Sequence, residues 1–524
     1  MFALFTKAKT AYRACIFALA CVFFNVGCHG TYNKFLHPVG PNYCPPKAAV
    51  SDQWGPSRQT NVSEETAVDC AWWANFQDPA LDQLIATAKN QNLDLKNAAN
   101  RIAEARSFLR GSRGNLFPQT QEAFGGAVNT ARSINNVTRN NNIQFFDFFE
   151  TGVLASWELD FWGRYRRAVA SSDAELDAAF FNRQDVMVLL LGDVANNYVR
   201  LRTAERRLEV ANQNIEVQQL TLETATTRFD AGLVSELDVT QAESNLAKTQ
   251  SSVPPLLIQR QQASNTLCVL MGMPPQSIEP LLVTSVGIPS IQSAINVGVP
   301  AELLMRRPDI RRAERKLAAQ SERIGIAAAE FYPHLSLTGS IGYSATQFNN
   351  LFSADSLTGF VGPTFRWNIF NYGRIVAAMA VEDARFGQLL ATYQQTVLTA
   401  ANEVENGLVA YVQTQHQTES LRQSVASTKR SVALAREQYT TGKGDFDRVF
   451  NLEVFQARIE DELAQSEGAI AASLVQTYTA LGGGWQDCAQ AQLVVANALI
   501  DGDEPVIDAD VIEQLTDKKL KTPR

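Results

Sequence analysis

The spacing of apolar and polar positions changes from a period of two to a period of seven, and the change occurs twice along the chain. Leu335, Leu337, Gly339, Ile341 and Tyr343 alternate with Ser336, Thr338, Ser340, Gly342 and Ser344. Val361, Pro363, Phe365, Trp367 and Ile369 alternate with Gly362, Thr364, Arg366 and Asn368. Earlier, Val153, Ala155, Trp157, Leu159 and Phe161 share one parity, against Ser156, Glu158 and Asp160. Period two predicts strands with one apolar face. A fourth, weaker strand is expected over 119–132. Runs of about nine to eleven residues suffice for a tilted strand to cross a bilayer, although a half-buried soluble sheet has the same pattern. Trp157, Phe161, Trp162, Trp367, Phe370 and Tyr372 gather at one strand end, as an interfacial girdle does.

Beyond each strand pair the period becomes seven. Val194, Leu201, Leu208, Ile215, Leu222 and Phe229 recur every seven residues, with Ala204, Ala211 and Ala225 three further on. Val404, Tyr411, Val425, Val432 and Tyr439 repeat the pattern, with Leu421 and Ala435 on the neighbouring row. These are heptads with a large and a small seam. Residues 375–439 contain no Pro, and as one helix they extend about 100 Å. A compact soluble domain has no use for such a helix. Pro254-Pro255 should break the helix that begins near Asp238.

The two passes are copies of one another. Trp157-Glu158-Leu159-Asp160-Phe161-Trp162-Gly163-Arg164 returns as Trp367-Asn368-Ile369-Phe370-Asn371-Tyr372-Gly373-Arg374, and Phe229-Asp230-Ala231-Gly232 as Tyr439-Thr440-Thr441-Gly442, both at an offset of 210. Leu116-Phe117-Pro118 is echoed by Phe331-Tyr332-Pro333 at 215. The expected organisation follows: signal 1–27, N-terminal segment 28–78, helices 79–118, strands 119–161, long helices 162–270, connector 271–300, helices 301–333, strands 334–370, long helices 371–482 and tail 483–524. Four strands cannot close a barrel, since about eight is the smallest number and open edges are not tolerated in lipid. An α+β membrane protein that pools strands from three chains gives a trimeric twelve-stranded outer-membrane β-barrel, continued by a long α-helical periplasmic barrel.

Lys7, Lys9 and Arg13 precede an apolar run over 14–24 too short to span a bilayer, the mark of an export signal. The signal ends at Val26-Gly27-Cys28, and a Cys after a small residue suits diacylglycerol attachment at Cys28. Net charge is −8, and losing the signal takes it to −11, which disfavours nucleic acid. Cys44, Cys70, Cys268 and Cys488 lack metal-ligand spacing, and their pairing is open. No phosphate loop or nucleophile elbow appears, so neither an enzyme nor a cofactor is expected.

Several motifs in order resemble the outer-membrane efflux lipoproteins of the TolC/OprM type, in the NodT subgroup. They are Val39-Gly40-Pro41-Asn42-Tyr43, Trp72-Trp73-Ala74-Asn75-Phe76 with Asp78-Pro79, Arg228 to Ser235 with Asp238-Val239, and Arg306-Arg307-Pro308-Asp309-Ile310 with Ala313-Glu314. The similarity spans about 39–485. The insertion between Cys28 and Val39, Cys44, Cys70 and the tail depart from it. The resemblance implies a homotrimer in outer-membrane lipid, fed by an inner-membrane resistance-nodulation-division pump through a periplasmic adaptor (membrane fusion) protein. It implies passive export of drugs or other small toxic molecules.

The helix-to-helix turns are then the candidate gate and adaptor-docking tips. Tip one holds Asp230, Gly232, Ser235 and Asp238. Tip two holds Tyr439, Gly442, Lys443, Gly444, Asp445, Asp447 and Arg448. Gly supplies the turns, and Ser235 or Asp445 can cap the next helix. Asp445 and Asp447, tripled, would ring the pore and favour cations; Lys443, Arg448 and Tyr439 would tether neighbouring tips. Two other readings fit parts of the pattern. A polypeptide secretion duct shares the body, and a lipid-tethered periplasmic coiled coil explains the heptads but not the strands.

Overall fold

The computed structural model describes residues 38–47, 54, 62–63, 70–131, 145–282, 287–290, 295–296 and 306–486. Cys28, Cys488 and most of the tail lie outside these residues. The chain divides into two units.

One unit contains a four-stranded antiparallel sheet in the order β1 (Thr120–Ala131), β2 (Phe145–Leu159), β3 (His334–Ala345), β4 (Leu357–Arg366). Pairing aligns Trp157 with Leu337 and Pro363, Ala155 with Gly339 and Val361, and Val153 with Ile341 and Gly359. The alternating apolar positions thus share one face, and that face is bare: Val361 is 78% and Phe365 73% exposed. The opposite face carries Glu122, Glu150, Glu158, Ser336 and Thr338, with a Ser156–Thr338 hydroxyl bond of 3.1 Å. The outer edges of β1 and β4 have no partner strand among the described residues.

Two strand readings need correction. β4 ends at Arg366, so Trp367 and Ile369 fall outside it, and β2 ends at Leu159, before Phe161. The pairing stops because β3 begins at His334, after Pro333, which has no N–H to offer a ladder. The Trp367 indole donates instead to the Phe331 carbonyl at 3.0 Å, and Trp157 repeats this with Leu116 at 3.1 Å. The weakness of β1 also has a physical cause. Its large residues Phe124 and Val128 have the parity of the polar face, where Phe124 lies across the Gly152–Gly342 pair.

The helices are α1 (Pro79–Gln91), α2 (Leu93–Gly114), α3 (Arg164–Asp230), α4 (Glu236–Ser251), α5 (Val253–Leu270), α6 (Pro308–Ala329), α7 (Arg374–Thr440) and α8 (Phe446–Ala480). No helix among the described residues is long and apolar enough to cross a membrane. α3 and α7 are each 67 residues long and start and stop 210 residues apart; α2 and α6 are each 22 long and 215 apart. Glycines with positive φ keep the same register: Gly163 and Gly373, Gly232 and Gly442, Gly272 and Gly482. The duplication therefore extends to backbone geometry. The expected break before Pro254 falls at Ser252, and the prolines open α5, where a missing N–H costs nothing. Asp160 caps α3 by accepting from the Tyr165 and Arg166 amides at 3.1 and 2.9 Å.

In the second unit Trp72, Leu84, Tyr198, Leu201, Leu267, Val404 and Leu474 form an apolar core, with Trp72 stacked on Tyr478 at 5.4 Å. Arg307 of the Arg-Arg-Pro-Asp motif binds the α8 carbonyl of Ala480 at 2.8 Å and Glu403 of α7 at 2.7 Å. Closer to the tips the seam between α3 and α8 turns polar. Asn214 donates to Glu460 at 2.7 Å and Thr221 to Glu453 at 2.6 Å. The heptads are thus only partly apolar: Leu208, Ile215 and Leu222 are half-buried, while Asn214, Gln218 and Thr221 are buried.

Candidate functional site

The tips come from two turns with the same backbone. In the first, the Gly232 amide donates to Phe229 and the Leu233 amide to Arg228, at 2.8 and 2.9 Å; in the second, Gly442 donates to Tyr439 and Lys443 to Gln438, at 2.9 and 2.8 Å. This paired closure needs a left-handed residue after the helix. Gly232 (φ 72°) and Gly442 (φ 74°) provide it, whereas Gly444 has no such φ.

Between the turns lies an apolar knot of Ala225, Ala242, Ala435, Tyr439, Phe446 and Val449. Tyr439 is its centre. Only 3% of it is exposed, and its ring meets Phe446 edge-on at 5.3 Å. The guanidinium of Arg228 lies over the same ring, 4.5 Å from its centre, and donates to the Tyr439 carbonyl. The phenol donates to Asp238 at 3.3 Å. Burial first, then the Asp238 carboxylate, pushes that phenol up to about 12.

The predicted residues separate accordingly. Tyr439 and Asp238 meet, and their contact joins the neighbouring tips of one chain. Asp230, Gly232, Ser235, Gly442, Lys443, Asp445, Asp447 and Arg448 are exposed. Ser235 and Asp445 occupy N-cap positions but make no side-chain cap bond. The Ser235 hydroxyl turns to Asp238 at 3.2 Å instead. Asp447 accepts from Asn451 at 3.0 Å, and Arg448 reaches Gln438 at 3.5 Å.

Sequence patterning alone does not single out Arg228 or Phe446 as site residues. A signal for Arg228 exists in the repeat: its counterpart at an offset of 210 is Gln438, so at this position tip one has a cation and tip two a neutral amide.

Residues 84–273 and 299–483 match the outer membrane efflux protein family, and the two matched stretches start 215 and end 210 residues apart, as the repeat does. The chain belongs to the outer membrane efflux protein family. It is an outer-membrane efflux channel whose helices extend into the periplasm. The pyoverdine export outer membrane protein OpmQ of Pseudomonas putida is 32% identical over 454 residues, 84% of this chain and 94% of that protein. Nodulation protein T of Rhizobium leguminosarum bv. viciae is 27% identical over 438 residues, 84% of this chain and 87% of that protein. The solved outer-membrane channel OprN has a TM-score of 0.81 at 32% identity, covering 86% of this chain and 100% of that one. This family carries out transport.

Proposed function

We propose that three copies of this chain close a twelve-stranded barrel and form the exit duct of a tripartite efflux system, anchored in the outer membrane by a lipid on Cys28. The observation that carries the reading is the sheet: a bare apolar face, an opposite face that is polar toward the Leu159 end (Glu122, Ser156, Glu158, Ser336, Thr338), and two edges without a partner strand among the described residues. Unpaired strand edges are not tolerated in hydrocarbon, so neighbouring chains must supply their partners. The polar face then lines water. An inner-membrane resistance-nodulation-division pump loads the duct through a periplasmic adaptor docked on the tips. One relative is named for pyoverdine export and another for solvent efflux, which supports small-molecule cargo here.

Within this reading the tips are the gate. Exposed Asp445 and Asp447 ring the pore threefold, and exposed Lys443 and Arg448 face the adjoining tips. Native mass spectrometry with single-channel recording tests the whole: a trimer with discrete, cation-preferring openings is expected, and a monomer or dimer without conductance overturns it. In the same recordings, Asp445→Ala with Asp447→Ala should weaken block by divalent cations. Unchanged block removes the ring.

A further inference from the structure

The apolar face of the sheet is not flat. Between the Trp157–Leu337 and Val153–Ile341 pairs runs a row with little side chain, Ala155 beside Gly339, and Gly359 follows next to Ile341. These small residues open a bay of about 960 Å³, walled by Trp157, Leu337, Ile341 and Val361. Along β2 it runs from Trp157 to Val153, about 7 to 20 Å from the strand end at Leu159 at about 3.3 Å per residue. With a barrel strand's tilt of about 40°, that is a depth of about 5 to 15 Å. A hydrocarbon core is about 30 Å thick, so the bay occupies a single leaflet, the one adjoining the helices.

The same end of the sheet holds the N-terminal stretch. The Val39 amide donates to the Trp162 carbonyl at 3.0 Å. Arg167 is buried, pairs with Glu322 at 2.8 Å, and donates to the carbonyls of Val39 and Gly40 at 3.3 and 3.2 Å and to Asn42 Oδ1 at 3.0 Å. Gly40 is irreplaceable there, since a Cβ would come within 2.5 Å of Gly325 Cα. The stretch is therefore pinned three residues beyond β2. From Pro38 back to Cys28 the chain reaches at most about 35 Å when fully extended.

We propose that the bay binds one acyl chain of the lipid on Cys28, which makes the anchor's hydrocarbon part of the barrel wall. The proposal rests on the lipid-anchored reading above. The pinned tether keeps those chains in the shell of lipid around the barrel and in the leaflet of the bay. Bilayer phospholipid is the competing occupant.

The test uses the full-length protein in cells fed a fatty acid carrying a photoactivatable group at its far end. After irradiation and proteolysis, the expected adduct joins the Cys28 peptide to peptides of β2 and β3. Ala155→Phe fills the bay and should abolish the adduct, and the smaller Ala155→Leu should reduce it. Leu357→Phe, on the same face outside the bay, should leave it intact. Adducts of these strands with phospholipid in place of the Cys28 peptide overturn the proposal, as does a Cys28 adduct unchanged by Ala155→Phe. A Cys28 peptide lacking diacylglycerol removes the anchored reading itself, and the mass of that peptide distinguishes the two failures.

Discussion

The two tips have one backbone and opposite chemistry. Both close with the same pair of amide bonds around a left-handed glycine. Yet Arg228 in the first corresponds to Gln438 in the second, and Asp238 to Arg448, each at the repeat offset of 210. Duplication preserved what the turn requires and released what the side chains do. The result is asymmetry: Arg228 and Asp238 both converge on Tyr439, whereas Arg448 makes one long contact of 3.5 Å to Gln438. If the tips gate the duct, tip one should hold tip two, and not the reverse.

The largest effect should come from Arg228→Ala. It removes a cation–ring contact and a charged hydrogen bond to the Tyr439 carbonyl, together about 2–4 kcal/mol of coupling between the tips. Single-channel recording should show a marked rise in open probability. Gln438→Ala, at the equivalent position, should leave gating near the parent's. Equal effects would end the asymmetry.

The shared backbone is tested next. A Cβ added at Gly232 meets nothing within 4 Å, and at Gly442 only Arg228 Nη2 at 3.8 Å. Alanine at either position is thus opposed by conformation alone, which costs about 1–2 kcal/mol in the left-handed region. Gly232→Ala and Gly442→Ala should lower the thermal midpoint by matching amounts. A clear difference would mean that the turns are not equivalent.

That backbone was legible in the sequence because glycine spacing and the heptad register report it directly. β3 was legible because Leu335 to Tyr343 alternate without exception. β1 was faint because Phe124 and Val128 sit with the polar face, which period-two reading cannot anticipate. The polar seam escaped because a heptad search counts apolar residues, while Glu453 and Glu460 find their partners only across helices. Arg228 escaped for the same reason: its partner is Tyr439, 211 residues away.

Within that seam, burial raises the Glu453 carboxyl above its ordinary value, against the lowering effects of Thr221 and Arg436. The folded chain then holds this proton more tightly than the unfolded chain. Its contribution to stability is complete below the unfolded carboxyl's value of about 4.3 and is lost as pH rises through the raised one. Glu453→Gln should remove that loss, so the variant's thermal midpoint gains on the parent's as pH climbs from 4 toward 8. A difference independent of pH would show that the carboxyl does not titrate there.

The smallest effect separates the two holds on Tyr439. Tyr439→Phe deletes only the hydroxyl, whose bond to Asp238 is long at 3.3 Å, and keeps the ring between Arg228 at 4.5 Å and Phe446 at 5.3 Å. Asp238 retains the Ser235 hydroxyl at 3.2 Å, so no carboxylate is stranded. The loss should be about 0.5–1 kcal/mol, a small part of the Arg228→Ala effect on open probability. Comparable effects would place the hold between tips in the hydroxyl–carboxylate bond. A small one leaves it with the cation over the ring, the contact that the second tip, with Gln438, cannot make.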